Sequence, residues 1–381
     1  MVRHGAEDQL RQRPPRTGPD DDAYPRRERQ NAPDVIDLRS DTATRPTTGM
    51  RAAIAAAEVG DEQKREDPSV TELQRRVAEL VGQEDALFLP TATMANQIAL
   101  KLHSRPGDVL LAEETSHVVI YEYGGAAAHA GLMVQALPGQ AGRLTSEQVR
   151  AAVPSRTKAA DQSPALLSLE DTHNSAGGRA WPLDELEDVV ATAREVGLAV
   201  HLDGARLVNA AVAQGVHPSA IAGRFDTVTL CLSKGLGCPL GALLAGSRSL
   251  LERAWREKHL FGGAMRQAGI VAAAGVYALD HHVDRLAEDH ARARRLAEAW
   301  HAAGLPVDLE RVETNFVQVD LSPLGLGRDE ALARLREAGV GLSSTIYPTV
   351  IRAVTHLDVT GEDIERACEL VPEALGATVR A

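Results

Sequence analysis

The sequence is poor in cysteines, aromatic residues and long apolar runs, and each shortage excludes a class of protein. Three cysteines in 381 residues are too few for a disulfide scaffold, and they predict a reducing, cytoplasmic location. An aromatic content of 3% argues against a surface on which nucleic-acid bases stack. No apolar run reaches the length of a membrane helix. The first residues also lack the apolar stretch of a signal peptide, so we expect no membrane partner.

Charge and metal-binding patterns exclude further classes. A net charge of −12 argues against a broad surface for nucleic acid. The sequence has no CxxC pair and no HExxH motif, so we expect no metal site. What the chain does have is 44% hydrophobic residues, enough to bury a large core.

The order of patterns along the chain predicts a tail and two domains. Residues 1–33 are charged, contain prolines and lack apolar periodicity, and we interpret them as a disordered tail. Strand and helix patterns alternate over 34–263, which predicts an α/β domain around a mostly parallel sheet. Longer helical stretches over 264–381 predict a smaller α+β domain.

Short apolar stretches mark the strands of both domains. In the large domain the predicted strands are 86–90, 108–117, 165–173, 198–205, 227–233 and 241–246. In the small domain they are 315–321, 340–344 and 350–357. Among the helices, the pattern over 67–82 opens with Ser69 and Glu72 in capping-box spacing and closes on Gly82.

The stretch "TLCLSKGLGCPLG" at 229–241 places Lys234 at the end of an apolar run, beside three glycines. Taken alone, this pattern favours a solvated lysine in a glycine turn. The alternative is a desolvated amine that forms an imine with a carbonyl, with the glycines leaving room for a cofactor.

The position of Asp203 favours the second alternative, a desolvated amine that forms an imine. Asp203 ends the stretch "LAVHLDGA", one predicted strand before Lys234. Ligands of parallel sheets collect at the carboxyl ends of strands. An acid and an amine placed there suit pyridoxal phosphate, whose ring nitrogen pairs with the acid and whose aldehyde binds the amine. The competing interpretation of Asp203 is a helix N-cap.

Three further features suit such a cofactor and an amino-acid substrate. In "LPTATMANQ", the backbone N–H groups of Ala92 and Thr93 and the Thr93 hydroxyl would face an anion at a helix start. His117, at the end of a predicted strand, could stack on the ring. Arg206 and Arg352 are candidates for binding a carboxylate. Each feature alone has a structural explanation: a capped helix, a structural histidine or a surface ion pair.

The chain resembles the low-specificity L-threonine aldolases, which are pyridoxal-phosphate enzymes of the aminotransferase-like fold. The resemblance runs from about Val35 to near the C-terminus. It rests on the stretches "IDLRSDTATRPT", "EDPSV", "FLPTATMANQ", "SLEDTHN", "VHLDGARLVNA", "LCLSKGLGCPLGALLAG", "GGAMRQAGIVAAAGVYAL" and "VTHLD".

This resemblance implies roles for individual residues. Lys234 resembles the Schiff-base lysine, Asp203 the partner of the ring nitrogen and His117 the histidine that stacks on the ring. The implied phosphate-loop and neighbouring cofactor contacts are Ala92, Thr93, Arg206 and Ser233, and the implied substrate-carboxylate contacts are Ser40, Arg206 and Arg352.

Arg266 resembles an arginine that reaches the phosphate from a neighbouring subunit. The resemblance therefore implies a homo-oligomer, a dimer of dimers, with active sites at subunit interfaces.

Three positions depart from the family pattern. The phosphate loop usually reads Thr-Gly-Thr, whereas this chain has Ala92 in the middle position. Lys64 stands where many members have a tyrosine. No histidine occurs near 160–161 (Ala160 and Asp161), where the family often has a second active-site histidine. The base for the substrate hydroxyl is therefore left open among His117, a water and a residue of the 60s or 160s segments.

The function implied by the resemblance is retro-aldol cleavage of L-threonine, L-allo-threonine and related β-hydroxy-α-amino acids to glycine and an aldehyde. β-Elimination, or aldol or transaldol synthesis, on the same scaffold is the alternative. A non-catalytic protein that binds pyridoxal phosphate is another. A dinucleotide-binding oxidoreductase is disfavoured, because no acidic residue ends a second strand about 20 residues after "GLGCPLG".

Overall fold

Strands and helices alternate along the chain in a computed structural model that describes residues 35–153 and 164–377. The described residues from Ile36 onward form one compact unit. The tail predicted over 1–33 lies outside the described residues. The division at 263/264 between a large and a small domain stays a prediction.

The strands are short and mostly buried. They are β1 Ile36–Asp37, β2 Asp85–Leu89, β3 Val109–Glu113, β4 Met133–Leu137, β5 Pro164–Glu170, β6 Ala199–Gly204, β7 Thr227–Cys231, β8 Ala242–Gly246, β9 Phe316–Asp320, β10 Val340–Gly341, β11 Ser343–Ser344 and β12 Val350–Val354.

Helices connect most of these strands. They are α1 Thr48–Ala55, α2 Pro68–Val81, α3 Ala92–Leu102, α4 His117–Ile120, α5 Gly125–Ala130, α6 Ser146–Ala152, α7 Leu183–Glu195, α8 Leu207–Gln214, α9 Pro218–Ala222, α10 Arg248–Leu260, α11 Gly269–His281, α12 Leu286–Ala302, α13 Arg328–Glu337 and α14 Gly361–Ala374. Within the described residues, none of these helices has the length and apolar character needed to span a membrane.

A seven-stranded sheet has the order β2-β8-β7-β6-β5-β3-β4. The five strands from β7 to β4 are parallel, and β8 runs antiparallel to both of its neighbours. The carboxyl ends of β5, β6 and β7 therefore meet at one edge. The sheet is mixed but mostly parallel, as the alternating patterns predict.

The C-terminal part forms a second, antiparallel sheet of three strands, β11-β12-β9. The predicted strand over 340–344 divides in two: β10 pairs in parallel with β1, whereas β11 pairs with β12. A separate hydrophobic cluster that includes Trp300 and Val319 packs around these elements, whereas Phe88 and Trp181 belong to the cluster around the large sheet.

Two local predictions are wrong for identifiable reasons. The N-cap of α2 is Asp67, whose carboxylate accepts from Val70 N at 3.0 Å. Pro68 takes the first helical position, which shifts the cap before it, and Ser69 instead donates to the Glu58 carbonyl at 2.7 Å. The strand predicted to end at His117 stops at Glu113, and His117 begins α4.

Candidate active site

A cavity of about 410 Å³ lies where β5, β6 and β7 end. Its position follows from the parallel sheet, which places the carboxyl ends of these strands at one edge. The lining residues are Thr42, Thr91, Ala92, Thr93, Asn96, His117, Tyr121, Glu170, Asn174, Asp203, Ala205, Arg206, Cys231, Ser233, Lys234, Ser344 and Arg352. The cavity brings together most of the residues singled out in the sequence.

Asp203 is a buried carboxylate with two donors. It belongs to β6 and is 2% exposed. Its Oδ2 accepts from Asn96 Nδ2 at 2.8 Å and its Oδ1 from Ala205 N at 3.1 Å. It is not a helix N-cap, because α8 begins only after Arg206. A buried carboxylate with few donors is suited to bind a cationic or protonated ligand atom.

Lys234 lies in the same cavity, in the turn that follows β7. Its side chain is half-buried, and it has no hydrogen-bond partner or ion pair among the residues that the structure describes. Its charge acts on the buried carboxylate of Asp41. An amine in this position is free to react with a ligand carbonyl.

Packing explains two of the glycines beside Lys234. A Cβ at Gly235 would lie 2.9 Å from Leu286, and one at Gly241, where φ is +113°, would lie 2.7 Å from Phe88. These glycines are required by packing against the protein and by a left-handed backbone turn. The interpretation that they leave room for a cofactor stays a prediction.

The N-terminus of α3 opens into the cavity. Thr91 is its N-cap, and its hydroxyl accepts from Met94 N at 3.1 Å. Ala95 N donates to the Thr91 carbonyl. The N–H groups of Ala92 and Thr93 have no acceptor among the described residues. Ala92 has no positive φ, so alanine replaces the glycine usual in the family without strain.

His117 is held by two carboxylates. Its backbone N donates to Glu170 Oε2 at 2.6 Å, and its Nδ1 lies 2.9 Å from Oε1 of the buried Glu122. Burial by itself lowers the pKa of His117, but the hydrogen bond to Glu122 and the charges of Asp203, Glu122 and Glu170 raise the pKa above its usual value. The ring lies 5.3 Å from that of Tyr121.

Arg206 is paired within the protein. Its Nε and Nη2 each donate to a carboxylate oxygen of Asp41 at 2.7 Å, and both side chains are buried. Burial favours protonation of Asp41, but the charge and hydrogen bonds of Arg206 hold the pKa of Asp41 well below its usual range. Its Nη1 donates to Asn174 Oδ1 at 3.4 Å on the cavity side.

Arg352, like Lys234, is a cation of the cavity without a counter-ion among the described residues. It donates to Ser343 Oγ at 3.1 Å and to Asn174 Oδ1 at 2.9 Å, and no carboxylate of the described residues forms an ion pair with it. Burial lowers the pKa of Arg352, and the positive charge of Arg206 lowers it further. The two guanidinium groups thus share one neutral acceptor, and one positive charge remains to bind an anionic ligand.

Three positions named in the sequence, Ser40, Lys64 and Arg266, do not line the cavity. Ser40 caps a short 3₁₀ turn and accepts from Thr42 N, and it does not line the cavity. Arg266 is 62% exposed and pairs with Asp61 at 3.1 Å, also outside the cavity. Lys64 is exposed on another turn. The segment with Ala160 and Asp161 lies outside the described residues.

Several residues of the site were not singled out in the sequence: the cavity-lining Asn96, Tyr121, Glu170 and Asn174, and Glu122, which contacts His117 and Asn96 behind the lining. Three of them, Asn96, Glu170 and Asn174, lie inside the stretches "TATMANQ" and "SLEDTHN" that carry the family resemblance. Membership of these stretches is the sequence signal that could have identified them. His117, Glu122 and Asp203 also place ligand atoms within 4.8 Å of one another, a spacing that can hold a metal. The Asn96 amide, however, already donates to both carboxylates at 2.8 Å.

The residues present fit pyridoxal phosphate. The cofactor has an aldehyde, a protonated ring nitrogen and a phosphate. The cavity offers an amine without a partner, a buried carboxylate and two free N–H groups at a helix N-terminus. The unpaired charge of Arg352 remains for the carboxylate of an amino acid.

Comparisons with known proteins agree with this geometry. A family described as "Beta-eliminating lyase" matches residues 37–322. The chain is 41% identical to the low specificity L-threonine aldolase of Escherichia coli (strain K12) over 338 residues, which cover 87% of this chain and 96% of that protein.

A plant protein and a solved structure give the same result. A probable low-specificity L-threonine aldolase 2 of Arabidopsis thaliana is 38% identical over 342 residues, or 87% of this chain and 94% of that protein. The structure of Leishmania major threonine aldolase matches with a TM-score of 0.77 at 21% identity, over 89% of this chain and 99% of that one. At that identity the structural match establishes the fold.

Proposed function

Because the chain belongs to the low-specificity L-threonine aldolase family, within the beta-eliminating lyases, we propose that it cleaves L-threonine and L-allo-threonine to glycine and acetaldehyde. It is a pyridoxal-phosphate-dependent carbon–carbon lyase. The observation that carries the proposal is one cavity with a free amine at Lys234, a buried carboxylate at Asp203 and an unpaired cation at Arg352. Related β-hydroxy-α-amino acids belong to the same substrate class.

Three elements of the chain would hold the cofactor. Lys234, in the turn after β7, would bind the aldehyde through Nζ. Asp203 in β6 would accept a hydrogen bond from the protonated ring nitrogen. The N–H groups of Ala92 and Thr93, with the Thr93 hydroxyl and Ser233 nearby, would donate to the phosphate, which the helix dipole also favours.

The substrate carboxylate is bound by the arginine pair. Asp41 neutralises Arg206 and fixes its plane through two hydrogen bonds, while Arg352 keeps its full charge. The substrate therefore meets one uncompensated positive charge and an N–H donor from each guanidinium. Two guanidinium groups held in fixed positions would also restrict the orientation of the bound substrate. Ser40 lies outside the lining residues, so in our proposal its part is to shape the turn that carries Asp41.

When bound, pyridoxal phosphate supplies the electron sink that accepts the electrons released as the Cα–Cβ bond breaks. The chain must remove the proton of the substrate β-hydroxyl. We assign this step to His117, because Glu122 accepts from its Nδ1 and leaves Nε2 as the basic nitrogen in the cavity. Glu122 stabilises the charged ring that results.

The proposal extends to assembly and location. Arg266 is exposed and lies outside the cavity of its own subunit. A role at the phosphate therefore requires a second copy of the chain, as in a dimer or a dimer of dimers. The three cysteines are free and buried, which supports a reducing compartment such as the cytoplasm.

Product analysis separates cleavage from elimination. The purified protein, loaded with pyridoxal phosphate, is given L-threonine, L-allo-threonine and phenylserine, and aldehyde, glycine, ammonia and keto acid are measured. We expect aldehyde and glycine in equal amounts. Ammonia and a keto acid without aldehyde would instead identify a β-eliminating enzyme, and binding of the cofactor without any product would identify a non-catalytic protein.

A further inference from the structure

A chain of hydrogen bonds runs away from the cavity behind Asp203. Asn96 Nδ2 lies 2.8 Å from Asp203 Oδ2, and Asn96 Oδ1 lies 3.2 Å from His201 Nε2. His201 Nδ1 lies 3.0 Å from Thr227 Oγ1, which in turn lies 3.0 Å from His103 Nε2. This series of hydrogen bonds therefore joins α3, β6 and β7. It ends at His103, which is half-buried at the end of α3.

The direction of the first bonds follows from the chemistry of Asn96. Its nitrogen lies 2.8 Å from two carboxylate oxygens, one of Asp203 and one of Glu122. Carboxylates accept hydrogen bonds, so the atom between them must be the NH₂ group. The amide oxygen then points to His201 and can only accept, which requires a hydrogen on His201 Nε2.

The remaining bonds follow in sequence. Burial lowers the pKa of His201 to about 4, against the opposing charge of Asp203, so the ring is neutral at pH 7 and Nδ1 is an acceptor. The single hydroxyl hydrogen of Thr227 must go to this nitrogen. Thr227 Oγ1 can then only accept from His103, whose pKa burial also lowers.

Every donor in this chain thus points toward Asp203. Asn96, His201 and Thr227 are 1%, 0% and 0% exposed, so water cannot replace a missing partner. Hydrogen bonds in series polarise one another, and those that end on an ionised group are the strongest. The series fixes the orientation of the Asp203 carboxylate through its Oδ2.

We propose that Asn96, His201 and Thr227 are positioning residues that hold the Asp203 carboxylate in place as the acceptor for the ring nitrogen of the cofactor. Asn96 lines the cavity, whereas His201 and Thr227 are not among its lining residues. The inference rests on the proposed function only in the identity of the cofactor, since the direction of the bonds is fixed by the protein alone.

Binding of two cofactor forms tests this role. The affinity of the apoprotein is measured for pyridoxal phosphate and for its 1-deaza analogue, in which carbon replaces the ring nitrogen. His201→Phe removes the donor to Asn96 while keeping a ring, and Thr227→Val removes the donor to His201. We expect His201→Phe to bind pyridoxal phosphate about tenfold more weakly, and Thr227→Val about threefold. Neither variant should bind the analogue more weakly.

Thr229→Val is the matched control. Thr229 is on the same strand, is equally buried, and its hydroxyl has no partner among the described residues. It should bind both compounds as the parent protein does. Equal weakening of both compounds in His201→Phe and Thr227→Val, or no weakening of either, would overturn the proposal.

The direction of the hydrogen bonds can be measured by spectroscopy without the cofactor. Nitrogen NMR of histidine-labelled apoprotein should show His201 protonated at Nε2 and not at Nδ1 between pH 6 and 8. Protonation at Nδ1 would contradict the derived direction. Absence of aldolase activity, by contrast, would leave both measurements valid and would count only against the proposed function.

Discussion

Single charged side chains decide what the cavity can bind. Asp41 neutralises Arg206, and Asn96 donates to Asp203 and Glu122, but Arg352 has only neutral partners among the described residues. A buried cation without a counter-ion costs free energy until an anion binds. The unpaired charge of Arg352 therefore favours a ligand with an anionic group, as the proposed amino-acid substrate has.

Asp171 gives a prediction about stability and pH. It is fully buried directly after β5, and its Oδ2 has no partner among the described residues. Burial raises its pKa from 3.8 to about 8. Between these values the folded state binds more protons than the unfolded state, so stability due to this group is lost as pH rises.

Asp171→Asn removes this titration. We expect the free energy of unfolding of the variant, relative to that of the parent, to rise from pH 5 to pH 8, with a limiting slope of about 1.4 kcal/mol per pH unit. Calorimetry across this range measures it. Asp284→Asn, at an exposed position, should show a constant difference, and a constant difference in Asp171→Asn would refute the assignment.

Among the secondary-structure elements, the N-terminus of α3 gives a testable prediction about phosphate binding. Thr91 has extended backbone angles, φ −143° and ψ 153°, which suit a residue before proline. Proline is also favoured at the first helical position. Ala92→Pro should therefore fold normally while removing one of the two free N–H groups.

We expect Ala92→Pro to weaken the binding only of a ligand that has a phosphate. Ala92→Pro should bind pyridoxal phosphate about tenfold more weakly, since a hydrogen bond to a charged group is lost, and should bind pyridoxal without a phosphate as the parent does. Ala92→Gly keeps the N–H group and should retain full affinity. Unchanged binding of pyridoxal phosphate by Ala92→Pro would remove the helix terminus from the phosphate site.

The elements differ in how far sequence alone could place them. Continuous apolar runs flanked by glycine or polar residues gave β5, β6 and β7 to within a few residues, because strands buried on both faces leave this pattern. β4 was not predicted, because four of its five residues are exposed at the edge of the sheet. The short helix α4 was read as the end of a strand.

Site residues also divide into those that a local sequence pattern predicts and those that it does not. Lys234 and Asp203 could be predicted because they follow recognisable strands. The partnership of Arg206 with Asp41, 165 positions apart, has no local pattern, and neither has the series of bonds behind Asp203. Such contacts depend on the register between distant elements, which one sequence does not reveal.

Assembly is the question at the scale of the whole molecule. If Arg266 completes the cavity of a neighbouring subunit, each cavity takes Lys234 from one subunit and Arg266 from the other. Lys234→Ala and Arg266→Ala then inactivate a site through different subunits. Mixed oligomers then contain some sites with both native residues. Unfolding and refolding the two variants together should restore about a quarter of the parental activity, by random pairing into dimers.

The controls are each variant refolded alone and the two variants mixed without unfolding. All three should remain nearly inactive. A refolded mixture no more active than its components would place Arg266 outside the neighbouring site.

The central claim is that the Lys234 amine binds the cofactor aldehyde in a cavity shared with Asp203. Borohydride reduction of the loaded protein, followed by peptide mass mapping, tests it directly. We predict one pyridoxyl group, on Lys234, no adduct and no threonine cleavage in Lys234→Ala, and normal labelling and cleavage in Lys101→Ala. An adduct on another lysine, or threonine cleavage at the parental rate by Lys234→Ala, would contradict the account.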